Sequence, residues 1–289
     1  MWLLVGGDSE IGAETAAYMR ARQFEAISTT RRSKGAAADA VHLDLGADLE
    51  GWEPPPGAKA ACIFAAVARL AACAADPAAT ARINVTQTLA LVDRLLARDL
   101  YTIFLSTNQV FDGSTANVAA TAPTCPVSVY GQQKARTEAG LQARMERGAP
   151  VAVLRLAKIV SPRTALLRQW VDALSAGRPI RAFKDMTMAP VEVARVAAVI
   201  VALMQARAAG TFQLTALRDV TYFETGRHLA DRLGADARLV AAGSVAEAAL
   251  PAGAAPPHTT LDSSEIETRF GIAAPDPWDA IDREFSLRA

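Results

Sequence analysis

The sequence predicts an α/β protein with a doubly wound parallel sheet and a smaller C-terminal α/β part. An apolar run at the N-terminus leads directly into a glycine-containing turn and then into a helix-prone segment. Further continuous apolar runs follow, separated by amphipathic helical patterns, which is typical of parallel strands that are buried on both faces. Beyond residue 156 this alternation loosens. The loosening indicates a second, smaller unit.

The composition excludes several classes of partner. The chain has 289 residues, 51% of them hydrophobic and 21% charged, which suffices for one large domain or two unequal ones. Thirty Lys and Arg balance thirty Asp and Glu, so no bulk charge favours nucleic acid or a membrane surface. With no leader, no apolar run of membrane length and three scattered cysteines, we expect a cytoplasmic protein without a metal site. Its partner should be a small molecule.

The first predicted strand, Trp2 to Val5, precedes the turn Gly6-Gly7-Asp8-Ser9-Glu10-Ile11-Gly12. Glycines let the backbone turn tightly and approach a pyrophosphate, which then lies at the positive end of the next helix. The spacing resembles the Gly-x-x-Gly-x-x-Gly loop of short-chain dehydrogenases, with Ser9 at the middle position. This resemblance implies a Rossmann fold and cofactor contacts from Gly6, Ser9, Glu10, Ile11 and Gly12. The alternative is a plain turn between strand and helix.

The second predicted strand runs from Glu25 to Thr30 and is followed by Arg31 and Arg32. In a dinucleotide-binding fold an acid at this strand end accepts a hydrogen bond from the ribose 2′-hydroxyl, whereas Arg pairs with a 2′-phosphate. No acid occurs between Ala26 and Ala38. We therefore predict NADP rather than NAD, which stays the second choice, with Arg31 and Arg32 as contacts. A solvated charge pair is the alternative.

The next two strands are predicted at 40–45 and 60–67. The first, Ala40-Val41-His42-Leu43-Asp44-Leu45, resembles the third strand of this family, whose Asp contacts adenine, and this implies an adenine site at Asp44 and Leu45. The second has the continuous apolar character of a central strand. Its small residues Ala65 and Ala66 leave room for the cofactor.

A periodic helix is predicted from Arg82 through Leu96. Asn84 falls where the family places a helix-borne Asn that supports the active site, and the resemblance makes it a cofactor-site residue. An equal alternative is that Asn84 is a residue of the helix start.

The buried strand that begins at Tyr101 ends in two hydroxyl residues, Ser106 and Thr107. Ligands of open parallel sheets bind outside the carboxyl ends of the strands, so these hydroxyls should point into a crevice. The segment Ser-Thr-Asn-Gln-Val-Phe-Asp-Gly resembles the Ser-Thr-Asp-Tyr-Val-Phe-Asp-Gly stretch of dTDP-4-dehydrorhamnose reductases. The resemblance makes Thr107 the catalytic hydroxyl that binds the substrate carbonyl. Asn108 and Gln109 depart from the family, so we expect Asn108 to make a different substrate contact.

Tyr130 and Lys134 lie four residues apart in the segment Tyr-Gly-Gln-Gln-Lys. On a helix they share one face, and a Lys charge nearby would bring the phenol pKa from about 10 towards neutrality. We therefore predict that Tyr130 donates a proton to a carbonyl, while Lys134 holds the nicotinamide ribose and lowers the pKa of Tyr130. The alternative is an ordinary pair on a solvated helix.

The C-terminal half supplies candidate substrate contacts. Lys158 stands where the resemblance predicts an aromatic residue, and a cation there suits a phosphate or carboxylate, unless it is a surface charge. Asp185 begins a segment that resembles the family's Asp-to-Pro loop. The stretch from Ala248 to Pro257 is predicted to be a loop without chemistry of its own. We predict a nucleotide-binding domain over 1–155, to which 190–215 returns, and a mainly substrate-binding domain over 156–289.

The resemblance spans nearly the whole chain and places it with the extended short-chain dehydrogenases. It implies an NADP-dependent reductase of a nucleotide-activated 4-keto sugar, and we allow for a homodimer. A sugar-nucleotide epimerase or dehydratase would use the same Tyr and Lys, but dehydratases usually add acidic residues where this chain has Asn108 and Gln109. A third alternative is a non-catalytic NADP-binding subunit, like the regulatory subunit of methionine adenosyltransferase.

Overall fold

The computed structural model of the protein describes residues 1–32 and 40–287. Its strands are β1 Trp2–Val5, β2 Ala26–Thr30, β3 Ala40–His42, β4 Ala60–Ile63, β5 Tyr101–Thr107, β6 Val151–Leu156, β7 Ile159–Val160, β8 Ile180–Phe183, β9 Thr187–Met188, β10 Val191–Glu192, β11 Gly210–Leu214, β12 Val220–Thr221 and β13 Val240–Gly243. Its α-helices are α1 Glu10–Ala21, α2 Leu70–Ala75, α3 Pro77–Ala81, α4 Thr88–Leu96, α5 Val129–Met145, α6 Ala165–Ser175, α7 Val193–Ala206, α8 Tyr222–Arg232, α9 Ser264–Phe270 and α10 Pro277–Glu284.

Seven strands form one sheet in the order β11-β6-β5-β4-β1-β2-β3. Every neighbouring pair in it is parallel. The predicted doubly wound parallel sheet is therefore confirmed. The strand order reverses direction between β1 and β4, and such a switch point opens a crevice at the carboxyl ends of the strands.

Alternating side chains divide the strands between two cores. Leu4 of β1 packs with Met19 of α1 and with apolar residues of α7, while its neighbours Leu3 and Val5 pack with residues of α4 and α5. Successive side chains of a strand point to opposite faces, so a continuous apolar run fills both layers of helices at once. This placement fixes which ends of the strands reach the crevice.

Two strands end earlier than the apolar pattern predicts. β4 stops at Ile63 instead of Val67, because the amides of Phe64 and Ala65 both donate to the Val5 carbonyl oxygen, at 2.9 and 3.2 Å, and bend the chain over the end of β1. β3 stops at His42 instead of Leu45. The bend at β4 brings the small residues that follow it to the switch point.

A third core lies in the C-terminal half. It packs Trp170 of α6, Leu229 of α8 and Ile281 of α10 against apolar side chains of the short strands. These strands form the pairs β7–β10, β8–β13 and β9–β12. β11 instead lies in the large sheet beside β6, and α7 packs on α1. Over 1–32 and 40–287, no helix is long and apolar enough to cross a membrane.

The helix α10 packs against β10 and β7 and brings carboxylates together. Glu192 of β10 accepts hydrogen bonds from Arg195 at 2.8 Å and from Arg283 at 3.1 Å. Burial, and then the charges of Glu192 and Glu14, raise the pKa of Glu284 from 4.5 to about 7. Glu284 is therefore more stable in its neutral form in the folded chain than in the unfolded one.

This raised pKa predicts a loss of stability as the pH rises from weakly acidic to neutral. The contribution of neutral Glu284 to the free energy of unfolding is complete below pH 4.5 and is lost as the pH rises through 7. Between pH 5 and pH 8 we expect the melting temperature of the wild type to fall by about 2 °C more than that of Glu284→Gln, a small effect because Glu284 is partly solvated. Scanning calorimetry measures it, with exposed Glu50→Gln as the control. Parallel curves for the wild type and Glu284→Gln would contradict it.

Candidate active site

The glycine turn after β1 packs too closely for side chains. Gly6 has φ +74°, a conformation that favours glycine, and a Cβ atom there would lie 2.9 Å from the Ala65 nitrogen. A Cβ on Gly12 would lie 2.7 Å from the Gly7 Cα. The outer glycines of the motif are therefore required by the geometry, and Ala65 and its half-buried neighbour Ala66 lie at the end of β4 beside them.

Ser9, at the middle position of the motif, caps α1. Its Oγ accepts a hydrogen bond of 3.2 Å from the Gly12 amide. In the described part of the chain, the amides of Glu10 and Ile11 have no protein acceptor. Free amides at a helix N-terminus, beside a loop in which a Cβ has no room, fit the pyrophosphate of a dinucleotide.

An acidic residue, Asp8 of the glycine turn, lies beside the end of β2, although the sequence of β2 itself contains no acid. Arg31 and Arg32 are exposed, and Arg32 Nε lies 3.9 Å from the Asp8 carboxylate, which also accepts from Thr30 Oγ1 at 2.9 Å. Asp8 belongs to the glycine turn, so only the fold places it at the end of β2. An acid here suits a ribose hydroxyl and the arginines suit a phosphate. Positions 33–39 lie outside the described residues.

The two residues expected at the adenine have different environments. Asp44 is half-buried, and its Oδ1 accepts from the Gly46 amide at 2.8 Å, which closes the turn after β3. Leu45 is buried and packs in the core beneath the sheet. The side chain of Leu45 therefore contributes packing, and Asp44 is the polar group of this turn.

Asn84 does not start a helix. It lies in a π-helical turn, Arg82–Gln87, that continues α3 into α4. Its side chain is buried, accepts from the Val67 amide at 2.8 Å, and donates to the Val67 carbonyl at 2.9 Å and to Gln133 at 2.7 Å. The helix-start alternative is wrong, because α3 precedes Asn84. Asn84 instead fastens the segment after β4 to α5, and Gln133, which no sequence motif marks, is its partner.

The first turn of α5 lies directly against the end of β5. Ser128 caps the helix by accepting from the Gly131 amide at 3.0 Å. A Cβ on Gly131 would collide with the carbonyl oxygen of Gln109, in the short helical turn Asn108–Val110 that follows β5. This close approach sets Tyr130 beside Thr107.

One pocket brings together four of the predicted site residues, Thr107, Asn108, Tyr130 and Lys158. It has a volume of about 460 Å³ and lies between the carboxyl ends of β5 and β6 and the C-terminal half. Its lining includes Thr107, Asn108, Gln109, Tyr130, Lys158, Met186, Thr187, Met188, Tyr222, Ala254, Pro256 and Thr259. Asp185 is not among the lining residues. Its carboxylate accepts from Ser244 Oγ at 2.6 Å and from the Val245 amide at 2.8 Å, which stabilises an exposed turn.

The loop 248–257 is a wall of this pocket, although its composition suggests only a connection. Gln109 donates to the Gly253 carbonyl at 3.0 Å and accepts from Ser128 Oγ at 2.8 Å. Ala254 and Pro256 face the cavity. The residue that departs from the family's Tyr therefore connects this loop to the cap of α5.

Lys134 is buried behind Tyr130. It is 4% exposed, and its Nζ donates to the Leu105 carbonyl at 2.7 Å and lies 5.8 Å from the centre of the Tyr130 ring. Burial lowers the pKa of Lys134 to about 7, against the opposing charge of Glu138. Burial also raises the pKa of Tyr130 above its ordinary 10.0, and Cys73 adds to the rise.

The pKa of Tyr130 therefore moves in the direction opposite to the one predicted from the sequence. The cost of placing a phenolate in a half-buried site exceeds the attraction of a cation whose own charge is depressed by burial. Tyr130 keeps its proton throughout the neutral range. A phenol in that state is a proton donor rather than a base.

A buried ion pair connects α5, the helix of Tyr130 and Lys134, to β6. Arg155 of β6 donates to Glu138 of α5 at 2.7 Å, and both side chains are at most 7% exposed. Ser106 Oγ also bonds Glu138, and Arg155 donates to Gln213 of β11 at 3.1 Å. Glu138 lies one helical turn after Lys134. The ion pair of Arg155 with Glu138 therefore fixes which side of α5 packs against β5. Across the described residues, no His, Cys, Asp or Glu cluster is arranged to hold a metal ion.

Comparison with known families decides the classification. A family model described as RmlD substrate binding domain matches residues 1–285. The chain belongs to this family. A curated relative in Haloferax volcanii, described as a probable low-salt glycan biosynthesis reductase Agl14, is 30% identical over 224 residues, which cover 74% of this chain and 73% of the relative.

Several solved structures share the fold of the present chain. A dTDP-4-dehydrorhamnose reductase from Clostridium acetobutylicum aligns with a TM-score of 0.84 at 18% identity, over 99% of this chain and 98% of that chain. The Bacillus anthracis dTDP-4-dehydrorhamnose reductase in complex with NADP aligns with a TM-score of 0.82 at 14% identity, over 99% and 98%. MoeE5 in complex with UDP-glucose and NAD aligns with a TM-score of 0.82 at 18% identity, over 99% and 97%.

The resemblance predicted from the sequence is thus confirmed. The family and the fold are those of extended short-chain dehydrogenases, and they make the protein an NAD(P)-dependent oxidoreductase of this type. Relatives with this fold hold NAD or NADP.

The contact between Gly131 and Gln109 gives a test of the site geometry. We expect Gly131→Ala to cost about 1–3 kcal/mol of unfolding free energy, because the added methyl group meets rigid backbone. Gly140→Ala in the same helix is the matched control, since its methyl group would meet only the tip of Leu89. Urea unfolding measures both. An equal effect of the two substitutions would show that α5 is not constrained at this contact.

Proposed function

We propose that the protein is an NADP-dependent reductase of a nucleotide-activated 4-keto sugar, with Tyr130 as the proton donor. One observation carries the proposal. Thr107 at the end of β5 and Tyr130 in the first turn of α5 line the same 460 Å³ pocket. The buried Lys134 lies behind the phenol. A phenol, a hydroxyl and an ammonium so arranged are suited to protonating a carbonyl oxygen.

Each of these side chains has a hydrogen available for its role. NADPH supplies the hydride when bound. Thr107 Oγ1 accepts from the Gln109 amide at 3.2 Å and donates to the neighbouring Asn108 Oδ1 at 3.4 Å, and its proton bonds the substrate oxygen once it turns away from this long contact. Tyr130 transfers its proton to that oxygen, a step typically worth about 10²- to 10⁴-fold in rate. In its charged form, Lys134 uses one hydrogen for the Leu105 carbonyl and keeps two for hydroxyls of the nicotinamide ribose, and with a pKa of about 7 this form is shared with the neutral amine at neutral pH.

The substrate part of the proposal is supported by relatives. They include a probable glycan biosynthesis reductase and reductases of a dTDP-linked keto sugar. We propose the corresponding division of the chain, with cofactor contacts from 1–155 and 190–215 and substrate contacts mainly from 156–289. Met186, Tyr222 and Thr259 provide the second wall of the pocket. Because Cys62, Cys73 and Cys125 are all unpaired, we further propose a reducing, cytoplasmic setting.

The role of Tyr130 can be tested by removing its hydroxyl. We expect Tyr130→Phe to bind NADPH as the wild type does, while NADPH oxidation with nucleotide-linked 4-keto sugars falls at least about tenfold, because the general acid is gone. Stopped-flow absorbance and fluorescence titration measure the two quantities. Unchanged turnover would refute the assignment. Tight NADP binding by the wild type without any ketone-dependent oxidation would indicate a non-catalytic subunit instead.

The choice of cofactor depends on charges at the end of β2. We expect the wild type to prefer NADPH, and the double variant Arg31→Gln with Arg32→Gln to raise the KM for NADPH about tenfold while the KM for NADH stays constant. Asp8→Asn should lower the KM for NADPH, since it removes a carboxylate beside the expected 2′-phosphate. Steady-state kinetics with both cofactors measures these changes. A wild-type preference for NADH would contradict the proposal.

A further inference from the structure

Lys158 is the only charged side chain among the described residues that line the 460 Å³ pocket. The other lining groups are apolar or neutral hydroxyls and amides, such as Met186, Thr187 and Asn108. The pocket therefore has one positive charge and no protein carboxylate to neutralise it. A ligand that fills the pocket has to complement this charge.

The environment of Lys158 leaves its ammonium unpaired. The side chain is half-buried, and it makes no hydrogen bond or ion pair to any other described residue. Burial lowers the pKa of Lys158, and the charge of Glu10, which does not line the pocket, opposes this shift. Glu10 itself bonds Ser161 Oγ. A partly desolvated cation without a partner is costly, and an anionic ligand group would remove that cost.

The position of Lys158 puts the charge at the reactive end of the pocket. Thr107 pairs with Leu156 across β5 and β6, and Lys158 follows Leu156 by two residues. Adjacent strands are about 4.8 Å apart and two residues extend about 7 Å, so a lysine side chain can reach a group on the ring whose carbonyl meets Thr107. The ammonium is thus within reach of the part of a ligand that meets Thr107.

We propose that Lys158 binds a carboxylate on the reacting sugar, so that the substrate is an acidic, uronate-type sugar nucleotide. One lysine matches one carboxylate in charge. A diphosphate has two negative charges and favours the two-pronged hydrogen bonds of arginine, and no arginine is among the described residues that line this pocket. The inference deepens the proposed function and rests on it, because it presumes a nucleotide sugar in this pocket.

The test compares two ligands that differ only at C6 of the sugar. Glucose and glucuronate, each linked to UDP or to dTDP, are titrated calorimetrically at pH 7 into the full chain with NADP⁺ present. We expect the glucuronate to bind at least about tenfold more tightly, the usual size of a charge-assisted contact. Lys158→Met should abolish this preference and leave glucose binding within twofold. Lys158→Arg should keep it.

Lys184→Met is the matched control, since Lys184 is exposed and outside the pocket, and it should keep the preference. Equal affinities of the wild type for both sugars would overturn the inference while leaving the reductase proposal intact. If Lys158→Met lowers the affinity for both sugar nucleotides equally, the inference is overturned as well, because Lys158 would then contact the diphosphate that they share. If neither sugar nucleotide binds the wild type, the nucleotide-sugar part of the proposed function fails too.

Discussion

The buried ion pair between Arg155 and Glu138 is the interaction on which the site depends. It connects the middle of α5 to β6, and through Ser106 and Gln213 it also reaches β5 and β11. Arg155 further donates to the Ala120 carbonyl at 3.0 Å, in the segment that crosses in front of the sheet. Removing two charges from water is expensive, and the pair is stable because these added hydrogen bonds satisfy its remaining polar atoms. This ion pair therefore sets which side of α5 faces the sheet.

With α5 held in this way, two close contacts place the reactive groups. Gly131 lets the first turn of the helix touch the backbone at Gln109, and Asn84 with Gln133 fixes the segment after β4 to the other side of the helix. Gly131, Asn84 and Gln133 do not themselves line the pocket. Their effect is to bring Tyr130 to the hydroxyl at the end of β5, where parallel strands present their carboxyl ends.

Burial then determines the charge states in the site. The same desolvation that raises the pKa of Tyr130 lowers that of Lys134 to about 7, and both changes favour the neutral forms of these two side chains. Among the described residues that line the pocket, Lys158 is the only one with an ionisable cationic group, and burial lowers its pKa as well. In the proposed reaction, charge recognition and proton donation therefore belong to different residues, Lys158 just after β6 and Tyr130 in the first turn of α5.

The sequence by itself determined the parallel sheet, the order of its elements and four of the residues that line the pocket, Thr107, Asn108, Tyr130 and Lys158. These follow from local patterns: apolar runs bounded by turns, glycine spacing, and a Tyr and a Lys one helical turn apart. Only the tertiary structure decided the position of Asp8 at the end of β2, the exclusion of Asp185 from the pocket, the roles of Glu138 and Gln133, and the direction of the Tyr130 pKa shift. Each of these depends on distances between segments far apart in the chain, or on how much water the packed chain excludes. No local pattern encodes those quantities.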